Sequence, residues 1–182
     1  MVFLSTAKST RQEGVCSDLA RCCRRFVVGS ALLLIAQASV TPAQANDEVD
    51  ALLQRSDAPH GVVFEIAEDD ESALQELLPR VRIAIERIRA RFPQTEFAVV
   101  SHGSEEFALQ SQYQGEYAQI HQQVQSLVAE DVPVHVCAIH ASWYAVSAED
   151  FPEYVDVAPT GPGQIELYLQ LDYDLIFIQS SN

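Results

Sequence analysis

The chain has 182 residues, a length that suits one domain and leaves little for a second. Its composition, 48% hydrophobic and 20% charged, is typical of a globular protein and argues against intrinsic disorder. The formal net charge is −15, and residues 46–182 alone carry 24 acids against six arginines, with no lysine. So acidic a surface repels phosphate backbones and anionic lipids, which disfavours nucleic-acid and membrane-surface partners.

Residues 1–45 have the pattern of a cleavable signal peptide. Residues 21–25 are basic, residues 26–40 are apolar, and Ala43 and Ala45 form the A-x-A site that signal peptidase cuts. We expect cleavage after Ala45 and export, which in a bacterium means the periplasm. The adjacent Arg24-Arg25 fits either a twin-arginine or an ordinary secretory signal, and an uncleaved anchor is a third alternative. No membrane association is expected after cleavage.

Export limits what the cysteines can do. Three of the four cysteines lie in the leader, so the mature chain keeps only Cys137. A single cysteine in an oxidising compartment cannot form an internal disulfide. Cys137 is therefore either a buried, inert side chain or a reactive thiol.

Residues 46–60 read as an irregular linker, and residues 61–182 read as one domain of alternating strands and helices. The acid run at residues 68–71 fits a solvated helix start better than a cation site, and His60 and His121 are expected at the surface. Strands are predicted at 61–66, 97–101, 132–139, 155–157 and 175–178. Helices are predicted at 72–92, kinked or divided at Pro79, at 117–128, at 141–146 and after the turn at 160–163, with Ile165, Tyr168 and Leu169 inward; residues 104–115 stay unassigned.

The predicted strands are almost continuously apolar, as in a parallel sheet that is covered on both faces. We therefore expect a single three-layer α/β/α sandwich with about five mainly parallel strands, similar to flavodoxin or Rossmann folds. Ligands of such sheets bind at the carboxyl ends of the strands.

Three residues are the candidate site. Cys137 ends the third predicted strand, His102 ends the second, and His140 lies in the turn after Cys137. The start of a helix or a protonated histidine near the thiol would stabilise a thiolate. The alternative is that Cys137 packs as a small hydrophobic side chain.

The order of four segments resembles the DsrE/DsrF-like family, which includes the sulfur-relay Tus proteins and YchN-like relatives. The segments are FAVVSHG, VPVHVCAI, AEDFPEYVDVAPTG and IELYLQLDYDLIFI, and the resemblance spans residues 60–180. It implies a DsrE-like domain in which Cys137 occupies the position that carries a persulfide in the sulfur-relay members. It also implies a homo-oligomer, whether dimer, trimer or hexamer.

Two functions of different classes follow from these residues. In the first, an exported protein carries sulfane sulfur as a persulfide on Cys137, tuned by His102 and His140, and exchanges it with a donor or acceptor protein. In the second, the protein is a binding module in which Cys137, His140 and His102 bind copper or zinc. A further alternative is a non-catalytic oligomeric interaction protein with a structural cysteine. Whether the protein is an enzyme stays open. The sequence has no glycine-rich phosphate loop, and no cofactor or resident metal is predicted.

Overall fold

The computed structural model describes residues 44–180, with side chains described from residue 47. The chain divides into two units, residues 1–38 and 39–182, and every described residue belongs to the second. The predicted leader features up to residue 43 lie outside the described residues. None of the helices among residues 44–180 has the length and apolar character needed to cross a membrane.

Five parallel strands form one sheet with the order β4-β3-β2-β1-β5. This confirms the predicted α/β class and its five-stranded parallel sheet. β2 is the central strand, β1 lies between β2 and β5, and β4 and β5 form the two edges of the sheet. The strands are β1 Gly61–Ile66, β2 Glu96–Ser101, β3 Val134–Cys137, β4 Asp156–Ala158 and β5 Tyr173–Phe177.

Helices cover both faces of the sheet, so the domain is a three-layer sandwich. The helices are α1 Gln44–Leu53, α2 Leu74–Arg91, α3 Ala118–Val128, α4 Ala138–Trp143 and α5 Gly161–Gln170. Short 3₁₀ turns occupy Ser104–Leu109, Ser111–Tyr113 and Ala148–Asp150. The chain steps from β1 to β4 in one direction, and α5 then returns it past β1 to β5. Because crossovers between parallel strands are right-handed, this reversal places α5 on the opposite face from α2 and α3.

The two faces have cores of very different size. The larger core contains the apolar faces of α1, α2 and α3 and one side of the sheet, including Phe64, Val99 and Val136. The smaller core, beneath α5, consists of Val63, Ala98, Val100 and Ile165. Polar side chains of the sheet lie beside α5 on this face: His135 bonds the Tyr168 hydroxyl of α5, and Glu65 bonds His102.

The largest difference from the sequence prediction is at the start of the domain. Residues 46–60 were expected to be an irregular linker, but α1 continues to Leu53. Val49 and Leu52 are buried in the larger core. Two apolar side chains three residues apart are enough to hold one turn of helix against the sheet, even though the segment is otherwise polar.

Three further predictions need correction. Leu169 was expected to face inward but is 39% exposed, because Ile165 and Tyr168 already fill the narrow contact of α5 with the sheet. His121 was expected at the surface but is buried, where its ring bonds the Tyr154 hydroxyl and the Ala108 carbonyl. Of the two alternatives at Pro79, division of the helix is wrong, since α2 runs through it as one helix, and a kink there stays a prediction.

Candidate functional site

Cys137 lies at the junction between β3 and α4, at the carboxyl edge of the sheet. The predicted strand was longer and its helix began later, whereas β3 ends at Cys137 and α4 begins at Ala138. The thiol Sγ accepts a hydrogen bond from the backbone N–H of His140 at 3.4 Å. Cys137 is only 2% exposed. Cys137 thus has the helix-start position that supports the alternative of a reactive thiol and the burial that supports the alternative of an inert side chain.

A buried carboxyl group holds this junction together. Glu106 reaches it from the 3₁₀ turn after β2, and its Oε2 accepts the backbone N–H of Cys137 at 2.7 Å. Its Oε1 lies 2.8 Å from Nδ1 of His140. One side chain thus fixes the backbone of the cysteine and the ring of the histidine at the same time.

Burial raises the pKa of Glu106 to about 7, since the carboxylate loses its hydration there. The hydrogen bonds from Cys137 and His140 act in the opposite direction and offset part of this effect. The pKa of the Glu106 carboxyl group therefore lies near neutral pH. A carboxyl group with such a pKa can take up or release a proton directly beside the backbone of the thiol residue.

The neighbouring acid, Glu105, has a structural role at the same edge. Its Oε1 accepts hydrogen bonds from the Ser101 hydroxyl at 2.7 Å and the Gly103 N–H at 3.1 Å. Its Oε2 accepts the Glu68 N–H at 2.6 Å. Consecutive residues of a 3₁₀ turn point about 120° apart, so Glu105 secures the ends of β1 and β2 while Glu106 reaches β3.

His102 is placed at the same edge but in a different set of contacts. Its Nε2 lies 2.7 Å from Oε1 of Glu65, and both side chains are mostly buried. Its Cβ lies so close to Gly161 that a methyl group there would approach it to 2.4 Å. Within residues 44–180, His102 forms no hydrogen bond with Cys137 or His140. The structure thus brings two of the three predicted residues together and gives the third a partner of its own.

Aromatic rings surround His140. Its imidazole stacks on Phe107 with centroids 5.3 Å apart and an angle of 24°. Trp143 and Tyr144 meet the same ring edge-on at 5.5 and 5.4 Å. Trp143 is 72% exposed. The histidine thus lies between a buried phenyl ring and an exposed aromatic pair, which restricts its rotation.

Sequence reasoning missed Glu106, Glu105 and Glu65. The acid pair lay in a segment that was left unassigned, and a single glutamate inside an apolar strand gave no periodic signal. One signal was available, because two consecutive acids stand directly before the apolar run Phe107–Leu109 at the end of a strand. Acids in such a position are either solvated or buried with partners, and only three-dimensional contacts distinguish these outcomes.

Metal binding has little geometric basis here. Among the described residues, no three or more His, Cys, Asp and Glu side chains converge in a way that could hold a metal ion. Cys137, His140 and His102 were the ligands named for copper or zinc, and the metal alternative stays a prediction.

Six chains of solved structures match the protein, and two of them are proteins of unknown function. A protein of unknown function from Methanobacterium thermoautotrophicum is 27% identical, with a TM-score of 0.51, over 65% of this chain and 98% of that chain. A conserved protein of unknown function from Bacteroides thetaiotaomicron is 12% identical, with a TM-score of 0.46, over 65% of this chain and 95% of that chain. No family model matches the chain, and no curated protein matches it. The first likeness supports the fold, and neither neighbour supplies an activity.

Proposed function

We propose that the protein carries sulfane sulfur as a persulfide on Cys137, as an exported, DsrE-like sulfur-handling protein. The observation that carries the proposal is the N–H of His140 donating to Sγ of Cys137 at 3.4 Å. A backbone donor at the start of a helix stabilises negative charge on sulfur, whether on a thiolate or on the persulfide that replaces it.

The transfer step needs no oxidant. The sulfur of Cys137 attacks the terminal sulfane sulfur of a donor persulfide or polysulfide, and the donor's S–S bond breaks as the new one forms. A persulfide donor leaves as a thiolate and a polysulfide donor as a polysulfide anion one sulfur shorter, and this leaving group takes the proton lost by the Cys137 thiol. Sulfur is thus transferred at its original oxidation level, and the reverse step with an acceptor thiol unloads it.

Burial sets a condition on this chemistry. With Cys137 only 2% exposed, a donor reaches the sulfur only when α4 or its neighbours open locally. Glu106 supports the closed arrangement through the Cys137 N–H and the His140 ring. Loading is therefore expected to be slower than for a free thiol and to depend on a partner or a fluctuation that opens the site.

Intact mass spectrometry after incubation with polysulfide tests the proposal. The wild-type protein should gain one sulfur atom that a reductant removes, and Cys137→Ser should gain none. Alkylation of the native protein measures whether a reagent can reach the Cys137 thiol without unfolding. A thiol that alkylates only after unfolding and never gains sulfur would show that Cys137 is structural. Retention of copper or zinc by the wild type alone would favour the metal alternative instead.

Export and self-association belong to the same proposal. The mass of the protein exported from an expressing cell should correspond to a chain that begins at Asn46, as cleavage after Ala45 requires. Light scattering on the purified protein measures the oligomer that the DsrE-like resemblance implies.

A further inference from the structure

A second concave feature lies beside the site, and the sulfur chemistry does not use it. It is a pocket of about 330 Å³ between the loop after β1, the 3₁₀ turns after β2 and the end of α4. That volume is at the lower end of the range for small-ligand sites. Phe107 and Tyr144 line the pocket and also contact the His140 ring, so the pocket and the Cys137 site share a wall.

The pocket combines aromatic rings with acids. Phe107, Tyr113 and Tyr144 contribute the rings, and Phe107 and Tyr144 meet at 4.9 Å in an edge-on arrangement. Asp69 and Glu71 contribute carboxylates at the rim. Aromatic faces attract cations through their quadrupole, and carboxylates add charge and hydrogen-bond acceptors.

No cationic side chain is among the residues that line the pocket. The six arginines of residues 44–180 are Arg55 and five members of α2, and none lines the pocket. The effect of the local charge is visible at Tyr117, where burial first, and then the carboxylates of Glu116, Glu71 and Asp70, raise the pKa of the phenol. The potential at the pocket mouth is therefore negative.

We propose that this pocket binds an alkylammonium or guanidinium group. The cation would lie against the aromatic rings with its N–H donors directed to Asp69 and Glu71. Gln110, 4% exposed at the pocket wall, accepts a hydrogen bond from Nε2 of Gln112 at 2.8 Å, and both side chains line the pocket. From the sequence, the acid run at residues 68–71 was interpreted as a solvated helix start. Under this proposal two of its acids, Asp69 and Glu71, bind the cation. The proposal stands on the pocket alone and does not depend on the reactivity of Cys137.

Titration of the isotope-labelled protein with n-butylammonium, followed by amide chemical shifts in NMR spectra, tests the proposal. Saturable shifts confined to the pocket residues are expected, with a Kd on the order of 1 mM, and butan-1-ol as the uncharged isostere should bind at least ~10-fold more weakly. The double variant Asp69→Asn/Glu71→Gln should lose ~10-fold or more in affinity. Glu86→Gln/Glu153→Gln removes the same charge from exposed positions outside the pocket and should bind like the wild type.

A second set of titrations distinguishes a basic side chain of a partner protein from a small free amine as the source of the cation. The peptide acetyl-Gly-Lys-Gly-amide is compared with its Gln counterpart and with butylammonium. Tighter binding of the Lys peptide assigns the pocket to a basic side chain of a partner protein, and tighter or equal binding of butylammonium assigns it to a small free amine. Equal binding of butylammonium and butanol, or equal loss in both double variants, overturns the proposal.

Discussion

At the scale of single residues, Glu106 decides how the site responds to pH. Its carboxyl group is completely buried, and it contacts both the Cys137 backbone and the His140 ring. Burial raises its pKa from 4.5 to about 7, so the native state holds this proton more tightly than the unfolded chain does. The contribution of Glu106 to stability therefore decreases as the pH rises from about 4.5 to about 7, and it stays reduced above that range.

Glu106→Gln removes this titration while it keeps the shape of the side chain. The amide oxygen still accepts the Cys137 N–H, and the amide group still reaches His140 Nδ1. Relative to the wild type, the variant should gain on the order of 2 kcal/mol of unfolding free energy between pH 4.5 and pH 7.5. Urea denaturation at both pH values measures this difference.

Glu86→Gln is the matched control for this measurement, since Glu86 is exposed in the middle of α2. Its difference from the wild type should stay nearly constant with pH. A pH-independent difference for Glu106→Gln would mean that the buried carboxyl group keeps an ordinary affinity for its proton.

The residues of this site differ in whether they could be predicted from the sequence. Cys137 and His140 were identified because a cysteine at a strand end and a histidine one helical turn later are visible in the chain order. Glu106 is 31 positions away from the cysteine whose N–H it accepts. Such a contact depends on the side-by-side placement of β2 and β3 and on a 3₁₀ turn that carries no periodic apolar signal.

At the scale of elements, the sheet and its main helices follow from apolar periodicity, because parallel strands that are buried on both faces must be apolar along their length. The boundaries at β3 and α4 were misjudged because VHVCAIHA is apolar enough to continue a strand or to begin a helix. Helix α1 was missed because its apolar side chains are few: Val49 and Leu52 are buried in the core, and Leu53 packs against it.

The first turn of α5 packs against the end of β2, and this contact supports a second prediction. A Cβ at position 161 would lie 2.4 Å from the Cβ of His102, so Gly161→Ala forces α5 and β2 apart. We expect a loss of about 1–3 kcal/mol in unfolding free energy, as for other overpacked contacts. Urea denaturation measures it.

Gly115→Ala is the matched control, since a Cβ there would meet no atom within 4 Å. That variant should stay within about 0.5 kcal/mol of the wild type. Equal stability of the two variants would show that α5 is not held closely against His102.

At the scale of the whole molecule, the charges are unevenly distributed. All six arginines of the described chain lie at Arg55 or in α2, where most of them bond acids such as Asp174, Glu130 and Asp50. Surface pairs of this kind contribute about 0–1 kcal/mol each. Six arginines cannot balance the 24 acids of residues 46–182, and the mutual repulsion of these acids opposes the compact state.

Added salt should therefore stabilise the protein. Screening weakens the arginine pairs and the repulsion together, but residues 46–182 hold 24 acids against six arginines, so the repulsion is the larger effect. Between about 0.02 and 0.5 M NaCl at pH 7.5, we expect the unfolding free energy to rise by on the order of 1 kcal/mol. The triple variant Glu86→Gln/Glu116→Gln/Glu153→Gln removes three exposed charges and should show a smaller rise. A stability that falls with salt would mean that the arginine pairs outweigh the repulsion among the acids.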